Sequence, residues 1–175
     1  MHIWTLTNWT ETYDLDDKEH RSGLYTRFEK GIDPEIKKEC LKFCEWLRKE
    51  YFFPIRVPVY FKKSRFIKAM DGENVSATFF EPYNKQDEPY IRVATGDYMM
   101  ILNRYGKINA LGAVLGSIAH ELTHYFQWVN DIRLTEIGYE RQATMYARYI
   151  VDEYFDEIQI LKSCMDETEI INADM

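Results

Sequence analysis

Between Leu111 and Val129 the apolar residues Leu111, Val114, Leu115, Ile118, Tyr125, Phe126 and Val129 recur at helical spacing, and His120, Glu121 and His124 stand in their midst. A helix with so much apolar surface has to be embedded in a core. Its two imidazoles and its carboxylate then need partners, because an unsatisfied buried polar group costs about 1–3 kcal/mol. Residues four apart share one helical face, so His120 and His124 can reach a single metal ion, while Glu121 projects about 100° round the axis. Neutral imidazole suits zinc, which makes a water nucleophilic near neutral pH, and a carboxylate placed like Glu121 can take that water's proton and pass it to a leaving amine. We therefore expect His120 and His124 as metal ligands, Zn2+ as cofactor and Glu121 as catalytic base. The competing reading is a core helix whose histidines hydrogen-bond to neighbours and whose Glu121 pairs with a Lys or Arg.

Catalytic zinc takes three protein ligands and leaves a position open. A third histidine at HExxHxxGxxH spacing is excluded, because Gln127 and Asn130 stand where Gly and His would be. The next helical segment offers Glu140, sixteen residues after His124, far enough for a turn and an antiparallel return. Ala143 and Ala147 flank its face with small side chains, so the two helices can approach closely. Glu140 is the expected third ligand; Glu136, one turn earlier, is the reserve, and Glu153 and Glu157 read as exposed carboxylates. Tyr139, Tyr146 and Tyr149 read as core rather than as oxyanion stabilisers, and His2 and His20 lie in an unreadable segment.

The rest of the chain sets an α+β frame of one domain, residues 1–175. Residues 1–31 mix aromatics with acidic stretches and form an irregular lead-in, or a short strand with loops. A helix follows: Asp33 can cap it, Pro34 suits its first position, and Ile36, Cys40, Phe43, Cys44 and Leu47 repeat at helical spacing up to about Tyr51. From Pro54 to Leu102 the pattern turns to short β-type segments, Ile55–Phe61, Arg65–Met70, Val75–Phe80 and Tyr90–Ala94, with a turn at Asp71-Gly72. Pro58 and Pro89 place the first and last of these at edges, and the whole reads as a small, mostly antiparallel sheet. Helix returns from Asn109 to about Val129 and from about Thr135 to Leu161, and the acidic tail, 164–175, is expected to fray.

A formal net charge of −7 repels polyanions and anionic lipid, so neither nucleic acid nor a membrane surface is expected as a partner. The basic residues Lys62, Lys63, Arg65 and Lys68 read as a solvated edge. Three cysteines, an odd number without a CxxC pair, favour a reducing compartment. The N-terminus does not read as a secretory signal, and the longest mostly apolar run is too short to span a bilayer. The expected setting is the cytoplasm, and the expected partner a peptide or protein substrate.

The segment LGSIAHELTHYFQW followed by YERQATMYARYIV, within Leu111–Val151, resembles the gluzincin metallopeptidases, among them the minigluzincins and the ImmA/IrrE-type domains. The resemblance implies a zincin-like fold, zinc held by His120, His124 and Glu140, Glu121 as general base, and hydrolysis of a peptide bond. It also implies an edge strand above the site, expected at Tyr90, Ile91, Arg92, Val93 and Ala94, pairing with extended substrate backbone. Many members orient the first histidine with an Asp four residues after the ligand Glu. Here that position is Thr144, a weaker orienter, so a catalytically weak protein kept for binding or regulation is the alternative function. A third possibility is a latent enzyme covered by the lead-in or the tail.

Overall fold

The computed structural model describes residues 2–173, with side chains through residue 159. Helix α1 runs Pro34–Glu50 where the cap signals begin it: Asp33 Oδ1 accepts from the backbone N–H groups of Glu35 and Ile36 at 2.9 and 3.4 Å. Such a cap contributes about 1 kcal/mol. Its apolar face, Ile36, Cys40, Phe43, Cys44 and Leu47, is fully buried.

Strands β1 (Leu24–Phe28), β2 (Val57–Lys62), β5 (Ala77–Phe80) and β6 (Tyr90–Ala94) form one sheet in the order β1-β2-β6-β5, and β3 (Ile67–Lys68) pairs with β4 (Asn74–Val75) in a small antiparallel hairpin turned at Asp71-Gly72. The main sheet is mixed, not mostly antiparallel: β1 and β2, and β2 and β6, run parallel, and only β5 and β6 are antiparallel. Tyr90–Ala94 is therefore an interior strand, as is β2, and the edges are β1 and β5. Pro89 precedes β6 and so removes no ladder bond, while Ile91 and Val93 are fully buried, as a strand flanked on both sides requires. In β2 the pairing with β6 begins at Val59, so Pro58 meets β1 alone.

Helix α2 (Tyr98–Tyr105) leads through Gly106, at φ +83°, into α3 (Lys107–Val129). Asn130 and Asp131 turn the chain, Thr135 Oγ1 accepts from Gly138 N–H at 3.1 Å, and α4 runs Glu136–Ala173. Helix thus continues through the tail to residue 173; the tail's side chains and residues 174–175 lie outside the described residues. Helix α3 packs against α4 on one side and against β5 and β6 on another.

The lead-in is two 3-10 turns, Ile3–Thr5 and Asn8–Glu11, followed by β1. It belongs to the core: Trp4 is 2% exposed, stacks on Phe126 and donates its indole N–H to Thr123 Oγ1 at 3.0 Å. Among the described residues no helix is long and apolar enough to cross a membrane.

Candidate metal centre

His120 and His124 leave α3 one turn apart and enter a cleft of about 1200 Å³ between α3, α4 and β5. Ala143 and Ala147, both buried, let α4 come close enough for Glu140 to meet them. His120 Nε2 and His124 Nε2 lie 3.2 Å apart, His120 Nε2 is 3.3 Å from Glu140 Oε2, and His124 Nε2 is 3.3 Å from Glu140 Oε1. Ligand bonds of about 2.0–2.1 Å in tetrahedral array set neighbouring donors about 3.3 Å apart, so the two imidazole nitrogens and the Glu140 oxygen facing each of them have the spacing of neighbouring zinc ligands. The three side chains form a group able to hold a metal ion, and the donor set admits other divalent ions besides zinc. Burial, then the neighbouring His124, lowers the pKa of His120 and favours the neutral imidazole that a metal requires. Glu136 lines the same cleft but is not in the group.

Glu121 is 9% exposed and points beneath the edge strand, where the backbone N–H of Phe79 donates to its carboxyl group. Burial pushes that carboxyl up to about 8, against the pull of the Phe79 N–H and with a smaller push from Glu140. Ala77, Thr78 and Phe79 of β5 line the cleft, so the strand next to the candidate base is one of the two edge strands of the sheet. None of Tyr90, Ile91, Arg92, Val93 and Ala94 lines it: β6 is held between β2 and β5, and Arg92 reaches instead to the carbonyl of Lys68. The edge strand that does line the cleft is β5, within the segment Val75–Phe80 that the sequence marks as a strand without placing it at an edge.

Thr144 also lines the cleft, but it is exposed and, among the described residues, bonds to neither imidazole. The partner of an imidazole here is Gln127, whose Oε1 lies 2.7 Å from His124 Nδ1. Its signal in the sequence is an amide three residues after a ligand, on the same helical face. Tyr139 gives its hydroxyl to the Ile132 carbonyl at 2.6 Å and the buried Tyr146 hydroxyl accepts from Ile3 N–H, whereas Tyr149 is not core: it is half exposed and lies against His2. His20 bonds the Pro54 carbonyl, and neither His2 nor His20 lines the cleft. Glu153 and Glu157 are exposed carboxylates, and each accepts a hydrogen bond, from Tyr51 and Trp46 respectively.

No protein-family model, no curated protein and no solved structure matches the chain.

Proposed function

We propose that the chain is a zinc-dependent peptidase that hydrolyses peptide bonds in an extended protein segment lying along β5. The observation that carries the proposal is the convergence of His120 and His124, Nε2 to Nε2 at 3.2 Å, with a Glu140 carboxylate oxygen 3.3 Å from each, and a nearly buried carboxyl group beside them. Zinc held by these three side chains supplies a Lewis-acidic centre at which water becomes nucleophilic near neutral pH. Glu121 takes the proton of the attacking water and delivers it to the amine that leaves. The edge of β5, apart from the Phe79 N–H held by Glu121, offers main-chain groups to an extended substrate and so holds the scissile bond beside the two imidazoles. The buried, unpaired Cys40 and Cys44 support a reducing, cytoplasmic setting.

Metal analysis of the purified protein, with His120→Ala as control, and cleavage of a broad peptide library test the proposal together. One zinc per chain and cleavage that disappears in Glu121→Gln are expected; absence of bound metal from the wild-type protein refutes it. The second reading, a metal-bearing binding or regulatory module, is favoured because, among the described residues, no carboxylate bonds His120 Nδ1. It predicts stoichiometric zinc with no cleavage, and biological activity that survives Glu121→Gln.

A further inference from the structure

We infer that Gln127 is the positioning residue of the metal site, fixing His124 with its proton on Nδ1 and tying that imidazole to the helix that supplies Glu140. The inference rests on the metal-binding reading above, and goes beyond it by giving the ligand's orientation to a residue that is not a ligand.

A glutamine amide has two donors on nitrogen and an acceptor on oxygen, and the surroundings decide which way it faces. Gln127 is 2% exposed, so its neighbours within the protein determine its orientation. Its Nε2 lies 3.1 Å from the carbonyl oxygen of Tyr139 and 3.0 Å from Gln142 Oε1. The Tyr139 carbonyl can only accept, so the amide nitrogen must face α4 and the amide oxygen must face His124. That oxygen, 2.7 Å from His124 Nδ1, can in turn only accept, which requires the hydrogen of the neutral ring to sit on Nδ1. The lone pair is then on Nε2, the atom that faces His120 and Glu140.

Tyr139 and Gln142 bracket Glu140 on α4, so one buried amide sets both the tautomer of a ligand on α3 and the placement of the ligand on α4. His120 has no such arrangement: among the described residues no protein group bonds its Nδ1. Orientation that the resemblance would assign to a carboxylate behind the first histidine is supplied here by an amide behind the second.

Two readouts on three variants test this: zinc affinity by chelator competition, and the melting temperature of the metal-free protein, with circular dichroism to verify folding. Gln127→Met keeps the volume and removes the acceptor; a loss of about 10–100-fold in affinity is expected. Gln142→Met leaves Gln127 its Tyr139 bond and should keep wild-type affinity. Gln127→Glu retains an acceptor for His124 but sets a carboxylate oxygen against the Tyr139 carbonyl, so it should hold affinity near wild type while lowering the metal-free melting temperature. This crossed pattern supports the inference. Affinity that follows melting temperature across all three variants would mean that Gln127 only clamps two helices, and overturns it. Wild-type protein that binds zinc alongside an equally tight Gln127→Met overturns this inference alone, whereas wild-type protein that binds no zinc removes the metal reading and this one with it.

Discussion

On the side of α3 that looks into the core, Thr123 and Tyr125 carry hydroxyl groups into an apolar interior, and one residue away on either side Leu122, His124 and Phe126 divide between core and cleft. Each core hydroxyl has its donor and acceptor roles filled: Thr123 gives to the Ala119 carbonyl and receives from Trp4, and Tyr125 gives to the Ile55 carbonyl and receives from the Ile55 N–H. On the cleft side the imidazole nitrogens of His120 and His124 converge with the Glu140 carboxylate. With the His124 proton committed to Gln127, the Nε2 lone pair of that ring faces a Glu140 carboxylate oxygen, an arrangement that a cation relieves and a hydrogen-bonded core never needs. One helix thus has a closed side that holds the fold and an open side arranged to bind.

It follows that a change on the open side should alter chemistry more than the stability of the zinc-loaded protein, and the reverse should hold for the closed side. The largest effect is expected from Glu121→Gln, which should lower peptide cleavage by about 10²–10⁴-fold, the usual contribution of a general acid–base group, with zinc content unchanged. Peptidase assay and metal analysis on the same preparation check it. Next is Trp4→Ala, which empties a site 2% exposed between Tyr51 and Phe126 and should cost about 3–5 kcal/mol in denaturant unfolding, with little change in zinc affinity of the folded protein. None of residues 2–31 lines the cleft, so trimming the first dozen residues should destabilise the protein rather than unmask activity. A truncated chain that folds well and cleaves faster would restore the latent-enzyme reading.

What the sequence discloses of these two sides follows from how local the signals are. The helices α1, α3 and α4 announce themselves through spacing and caps, and Asp33, Pro34 and Thr135 stand at the boundaries observed. The meeting of His120, His124 and Glu140 follows because four-residue spacing and a sixteen-residue return are statements about neighbouring elements. The sheet order is not local: β6 sits between β2 and β5, and Pro89, just before it, reports only the backbone donor that proline lacks. Trp4 is illegible for the same reason, since its partner Thr123 is 119 residues away and no periodicity marks the 3-10 turn that carries it. Gln127 is intermediate: its distance from His124 can be read from the sequence, but the Tyr139 carbonyl that turns its amide is fixed only once α4 has docked.

The open side should also show itself in the pH dependence of the metal-free protein. Burial raises the Glu121 carboxyl from 4.5 to about 8, so the fold retains a proton that the unfolded chain gives up above about 4.5. Stability from that proton is complete below 4.5 and is lost as pH rises toward 8, with a slope of at most about 1.4 kcal/mol per pH unit. Glutamine has no proton to lose. In chelated protein the melting temperature of Glu121→Gln, relative to wild type, should therefore climb between pH 5 and 8, and zinc should flatten the climb by favouring the carboxylate. A difference independent of pH would place Glu121 in a solvated setting and weaken the contrast between the two sides.

The smallest effect separates two glycines. A Cβ built on Gly96 would lie 2.4 Å from the Lys63 carbonyl oxygen, so that glycine is required by packing, and Gly96→Ala should destabilise. Gly116, one turn before His120 and lining the cleft, has nothing within 4 Å of the same added atom. Alanine in the interior of a helix is worth about 0.5–1 kcal/mol over glycine, so Gly116→Ala should raise stability by that amount, measured by denaturant unfolding. Glycine at this position forgoes that stability, and what it leaves open is space beside the imidazoles. Larger side chains should therefore divide the two readouts: Gly116→Leu should keep most of the helical gain, since leucine is nearly as good a helix former as alanine, and should slow peptide cleavage by filling the cleft with zinc still bound. Cleavage undiminished in Gly116→Leu would mean that substrate does not pass over this part of α3, and would confine the working part of the open side to the length of β5.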